Sequence, residues 1–173
     1  MRAAPFARWL PRALLVSGAS LLLLLQLANA QSASLIVPGV SIGAMKLGMS
    51  PTQARVVWGT PSRVRHVSPT VEGWEYSRRR STLYFTAGKV YEIVTYSSAF
   101  ATQEGVRVGQ PIGKVAEVLG RPDCEKQVEG RPAPGTFFAE GPVHAHIYRK
   151  LGLVVVRVND VVRGILVSVG PRC

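Results

Sequence analysis

The chain predicts an α+β fold of two tandem units, each a short helix followed by an antiparallel three-stranded meander, with the helices on one face of the sheet. Three observations predict it. A motif occurs twice, as L-G-M-S-P-T-Q-A-R-V-V-W-G-T-P at 47–61 and V-G-Q-P-I-G-K-V-A-E-V-L-G-R-P at 108–122, so that Gly48 and Gly109, Gly59 and Gly120, and Pro61 and Pro122 are each 61 residues apart. A constant offset of this kind marks an internal repeat. Each motif is followed by runs rich in β-branched and aromatic residues with turn signals between them. The last two of these runs are apolar on both faces, as expected of strands central in a sheet or covered on both sides.

The elements follow in chain order. Residues 1–30 have the form of a signal peptide, with Arg2, Arg8 and Arg12 ahead of a Leu-rich stretch and Ala28-Asn29-Ala30 as a small-x-small cleavage site. Cleavage before Gln31 leaves a first unit at 31–98 and a second at 99–173. No Cys begins the mature chain, so no lipid attachment is expected there, and no later stretch approaches the ~20 continuous apolar residues of a membrane helix.

In the first unit Ser50 is a good helix N-cap, Pro51 suits the first helical position, and Gln53 completes a capping box. Ala54, Val57 and Trp58 form the apolar stripe, and Gly59 with Pro61 ends the helix. Strands are expected at 72–77, 82–87 and 90–96, with a turn at Gly88-Lys89. Alternation places Leu83, Phe85, Tyr91 and Ile93 toward the helix and Tyr84, Glu92, Val94 and Tyr96 on the other side. Trp58 and Trp74 are expected in the core.

The second unit repeats the plan with weaker capping and a stripe of Ile112, Val115, Ala116 and Leu119; Gly113 costs this helix about 1 kcal/mol relative to Ala. A loop is expected at 125–137, then strands at 143–148, 152–158 and 161–169. Tyr148 takes the place of Tyr76, and the Asn159-Asp160 turn that of Gly88-Lys89, at an offset that has drifted to 71 or 72.

Charge and cysteines bound the function. Removing the leader leaves 18 basic and ten acidic residues, a net charge of +8. That balance favours a protein partner or an anionic envelope surface, whereas nucleic acid is not expected for an exported chain. Two cysteines, Cys124 and Cys173, suit a disulfide in an oxidising compartment that pins the C-terminus.

The pattern of Gly48-Met49-Ser50, Ala54, Gly59-Thr60-Pro61, Trp74-Glu75-Tyr76 and Leu83-Tyr84-Phe85 through Gly88-Lys89-Val90 resembles the SmpA/OmlA family, which includes a small lipoprotein of the outer-membrane β-barrel assembly machine. Two such units in tandem also resemble the β-lactamase-inhibitor-protein fold. That resemblance implies a broad sheet whose open face grips a partner.

Catalytic patterns are absent: no hydrolase, paired-carboxylate, P-loop or G-x-G-x-x-G motif stands out, and the glycines all read as turn residues. No enzyme activity and no cofactor are expected. His144-x-His146, with Glu140 nearby, is the one arrangement that suggests a metal. Unliganded histidines on the outer face of a strand whose Val143, Ala145 and Ile147 point inward are the plainer reading.

The function expected is an exported, non-enzymatic binding or envelope-associated protein, periplasmic or secreted. Its partner-binding residues would be Tyr84, Tyr96 and Tyr148 on the open sheet face, with Arg78, Arg79 and Arg80 at an edge. The alternatives are an extracytoplasmic metal-binding protein or enzyme using His144 and His146, or a structural component held to anionic polymers.

Overall fold

A computed structural model describes residues 34–128 and 143–173, so the signal-peptide expectation and Glu140 lie outside the described residues. The two described helices differ in how their N-termini are capped. Helix α1 (Pro51–Trp58) has both halves of the capping box: Gln53 N–H donates to Ser50 Oγ at 3.3 Å and Ser50 N–H to Gln53 Oε1 at 2.9 Å. Helix α2 (Ile112–Leu119) starts after Pro111 with no side-chain cap. Both are too short to persist alone, so they depend on burying one face. Ala54, Trp58 and Val115 do this fully and Val57, Ile112 and Leu119 in part, while Ala116 is exposed, contrary to the expected stripe.

A small sheet near the start of the described chain comprises β1 (Leu35–Val37), β2 (Ser41–Ile42), β3 (Met45–Lys46) and β8 (Ala101–Thr102), ordered β3-β2-β1-β8. The main sheet is antiparallel throughout. Its strands are β4 (Arg63–Ser68), β5 (Val71–Tyr76), β6 (Ser81–Thr86), β7 (Lys89–Thr95), β9 (Cys124–Val128), β10 (Val143–Tyr148), β11 (Leu153–Val158) and β12 (Val161–Ser168). The order is β4-β5-β6-β7-β12-β11-β10-β9, so β7 and β12 join the two halves, with Ile93 opposite Val167 and Thr95 opposite Ile165. The doubly apolar strands β11 and β12 are central, as their composition requires.

The short strands of the small sheet were not expected from the sequence, nor were two strands of the main sheet. Among the described residues β4 and β9 are the edges of the main sheet, and both are polar because much of each strand meets water. The expected loop at 125–137 therefore begins as strand β9, paired with β10 from Cys124 opposite Ile147 to Val128 opposite Val143.

The same local construction occurs in both halves. Gly48 N–H donates to Val90 O at 2.7 Å and Val90 N–H to Met49 O at 2.9 Å; Gly109 with Val162, and Val162 with Gln110, do the same at 2.9 Å. Ser77 N–H donates to Ser62 Oγ at 3.1 Å, and Arg149 N–H to Asp123 Oδ2 at 2.7 Å. A β-bulge follows Tyr84 in one half and Val156 in the other.

The first bulge corrects a face. Tyr84 pairs with Glu92 and Phe85 with Val90, leaving Tyr91 as the extra residue. Val90 therefore takes the core position expected for Tyr91, and Tyr91 faces Tyr84 with ring centroids 6.4 Å apart.

The main core lies between the helices and one face of the sheet, where Trp74, Tyr76, Leu83, Phe85, Ile93, Tyr148, Leu153, Val155 and Ile165 are buried. Trp58 and Trp74 belong to this core as expected. Trp58 meets Tyr76 edge-on at 5.2 Å and Trp74 tilts against Phe85 at 4.7 Å. A second cluster occupies the opposite face of the second half: Val143, Ala145, Ile147, Val154, Val156 and Val158.

Candidate binding surface

With Trp74 and Tyr76 directed into the core, alternation sends Gly73 and Glu75 to the face away from the helices, beside Thr82 and Tyr84. Arg65 on β4 forms an ion pair with Glu75 there. These side chains border a cavity of about 270 Å³ lined by Arg65, His66, Val67, Gly73, Glu75, Thr82 and Tyr84. No described helix covers this face.

Two mid-strand glycines shape the surface, which corrects the expectation that every glycine is a turn residue. A Cβ on Gly73 would lie 3.3 Å from the Tyr84 ring, and one on Gly164 would lie 3.2 Å from the Tyr96 ring. Each tyrosine ring thus borders the gap left by a missing side chain, as strand glycines allow. The signal was available in the sequence: a Gly inside a strand pattern, one sheet partner away from an aromatic.

Tyr84 is partly exposed, but Tyr96 is only 7% exposed and is as much a packing residue as a contact residue. Glu92 sits half-buried opposite Tyr84, and burial pushes its carboxyl up to about 7. Burial also pushes the Tyr84 hydroxyl above the usual tyrosine range, with the Glu92 carboxylate adding to the effect and Arg65 opposing it. The surface combines an ion pair with partly exposed aromatic rings and a half-buried carboxyl.

The other expected contact residues lie elsewhere. Tyr148 is on the helix-bearing face, 4% exposed, and donates its hydroxyl to Gly120 O at 3.3 Å; Tyr76 makes the same contact to Gly59 O at 3.5 Å. Arg78 and Arg79 belong to a 3-10 turn between β5 and β6, and Arg80 follows with φ 49°. Arg79 stacks over Trp58 at 5.6 Å, and Arg55 over Trp74 at 4.9 Å. Arg78 and Arg79 border a wider groove of about 680 Å³ together with Trp58, Gly59, Thr60, Ser62 and Tyr76. The structure does not bring the arginines and Tyr84 into one cavity.

The histidine pair also changes face. His144 pairs with Arg157 and His146 with Val155, on the side of Tyr148, while Val143, Ala145 and Ile147 point to the second cluster. Arg157 Nε–H donates to His146 Nε2 at 2.8 Å, which places the imidazole proton on Nδ1, 3.4 Å from Glu125 Oε1. Burial pushes this imidazole below the usual histidine range. Both ring nitrogens are engaged, and among the described residues no group of three or more His, Cys, Asp or Glu is placed to hold a metal ion.

Cys124 and Cys173 form a disulfide with Cα atoms 6.0 Å apart. The bridge thereby ties the tail that follows β12 to the first residue of β9. Among the described residues no helix is long and apolar enough to cross a membrane.

Fold and surface together define an α+β protein with a helix-covered sheet face and an opposite face bearing a small polar and aromatic cavity. No family model and no curated protein matches the chain, so the SmpA/OmlA resemblance rests on the residues that carry it. Solved structures similar to it include an extracellular SCP-domain protein from Bacillus anthracis, with 12% identity and a TM-score of 0.44 over 69% of this chain; the chain spans 43% of that protein's length. A DUF4309 family protein from Bacillus subtilis has 11% identity and a TM-score of 0.43, covering 87% of this chain and 96% of its own. A candidate β-lactamase inhibitor protein from Streptococcus mutans has 13% identity and a TM-score of 0.30, covering 83% and 94%.

Proposed function

We propose that this chain is an exported, non-enzymatic binding protein, periplasmic or secreted, whose protein partner docks on the sheet face away from the helices. The observation that carries the reading is the cavity walled by Tyr84 and the Arg65–Glu75 pair on a face that no described helix covers. A rigid aromatic ring beside a fixed ion pair offers contact area at low entropic cost. Export is supported by the leader-like residues 1–30 and by a disulfide, which persists in oxidising compartments. Arg78, Arg79 and Arg80 support a steering role, raising the association rate and making it depend on salt.

The test is capture of a partner by the mature chain, residues 31–173, from the envelope and soluble exported fractions of its own cells, followed by titration of the purified partner. Tyr84→Ala is expected to weaken that complex with the melting transition retained. Unchanged affinity in Tyr84→Ala would refute the open-face reading. The arginine-lined groove supports a second reading, attachment to an anionic envelope polymer. In that case the protein sediments with envelope material and is released by salt without any protein partner.

A further inference from the structure

Among the described residues the main sheet ends on one side at β4, which pairs with β5 alone. An edge strand leaves a row of peptide N–H and C=O groups unpaired on its outer side, a template for one more strand. Five of the six β4 residues are exposed, including Val64 at 44% and Val67 at 59%. The strand contains no Pro and no Lys. Its pairing is regular from Arg63 opposite Glu75 to His66 opposite Glu72, and the one irregularity falls after His66. Both cavities described above abut this segment, one walled by Thr60 and Ser62, the other by Arg65, His66 and Val67.

Charge selects the occupant. Arg63, Arg65 and His66 lie on the strand, and Arg78 and Arg79 occupy the neighbouring turn. The carboxylates of the adjacent strand are already engaged, Glu75 with Arg65 and Glu72 with Trp74 Nε1–H at 2.6 Å. A second copy pairing edge to edge would bring the Arg63–His66 segments together, and like charges directly opposite destabilise a strand pair. An extended segment with Asp or Glu at alternate positions meets opposite charge instead. We infer that β4 is a docking edge for an extended acidic segment of another protein, which joins the sheet as an additional strand. This edge borders the open-face cavity, which Arg65, His66 and Val67 help to line, but it binds through the unpaired backbone of β4 and not through the Tyr84 ring.

The test uses the mature chain and a labelled synthetic peptide of alternating Glu and Thr, with two controls: the Lys–Thr analogue, and the Glu–Thr peptide N-methylated along its backbone. The acidic peptide is expected to bind at least about tenfold more tightly than the Lys–Thr peptide, and N-methylation to abolish binding. Arg63→Glu combined with Arg78→Glu is expected to reverse the preference, and Tyr84→Ala to leave it unchanged. Equal binding of methylated and unmethylated peptides would mean charge attraction without strand addition and would overturn the inference. So would equal binding of both charge types, or a self-associated form of the chain that competes with the peptide. Loss of binding in Tyr84→Ala would move the peptide to the open face, overturning this site while leaving the open-face reading intact.

Discussion

Tyr148 donates its hydroxyl to the carbonyl of Gly120, the residue that ends α2, and so ties the last residue of β10 to the end of the helix lying over the sheet. Tyr76 and Gly59 form the matching pair in the first half. Removing the hydroxyl while keeping the ring should cost about 1 kcal/mol, the usual worth of one such bond. Tyr148→Phe, with the 3.3 Å contact, is expected to lose at least as much stability as Tyr76→Phe, with the 3.5 Å contact, in urea unfolding.

Gly152 is where the N-terminal turn meets the second half. A Cβ there would lie 2.6 Å from Gly39 Cα and 2.9 Å from Ser168 O, and its φ is +64°. Gly170 has nearly the same φ, +66°, with nothing within 4 Å of its would-be Cβ. Gly170→Ala should therefore show only the left-handed backbone cost of about 1–2 kcal/mol. Gly152→Ala should exceed it, because backbone cannot give way as a flexible side chain can. Equal losses in the two variants would contradict the close approach.

Glu92 links stability to pH. Its folded carboxyl is raised to about 7 from 4.5, so between these values the unfolded chain has released the proton and the folded chain still holds it. Stability from this group is complete below pH 4.5, falls as pH rises toward 7, and is level above that. His146 acts in the opposite sense: its depressed folded value means stability is lost as pH falls below the ordinary histidine range. The clean readout is the difference between the parent and Glu92→Gln. The variant should gain relative stability progressively across this interval, and parallel pH profiles for the two would rule the effect out.

The Cys124–Cys173 bridge spans 49 residues, a loop whose closure entropy corresponds to about 4 kcal/mol in the unfolded chain. Cys173→Ser, or reduction of the parent, is expected to lower the denaturation midpoint by a corresponding amount. A loss under about 1 kcal/mol would mean that the chain-entropy account does not apply here.

Much of this architecture was legible in the residues because its signals are local. Ser50-x-x-Gln53 specifies a capping box, and Gly59 and Gly120 end their helices. Runs such as Leu83-Tyr84-Phe85 and Leu153-Val154-Val155-Val156 specify strands through side chains three or four positions apart at most. The cysteine pairing was legible from count and compartment. What only the tertiary structure decided was face, edge and neighbour. Alternation shows that His144, His146 and Tyr148 share one side of β10, but not which; the hydroxyl bond to Gly120 and the core beneath α2 settle that. A single bulge moves Tyr91 out of the core, a one-residue shift that no period-two pattern announces. β4 was not read as a strand and most of β9 was read as loop because an edge strand is half solvated, and the gaps under Tyr84 and Tyr96 went unread because the ring that fills each one comes from another strand.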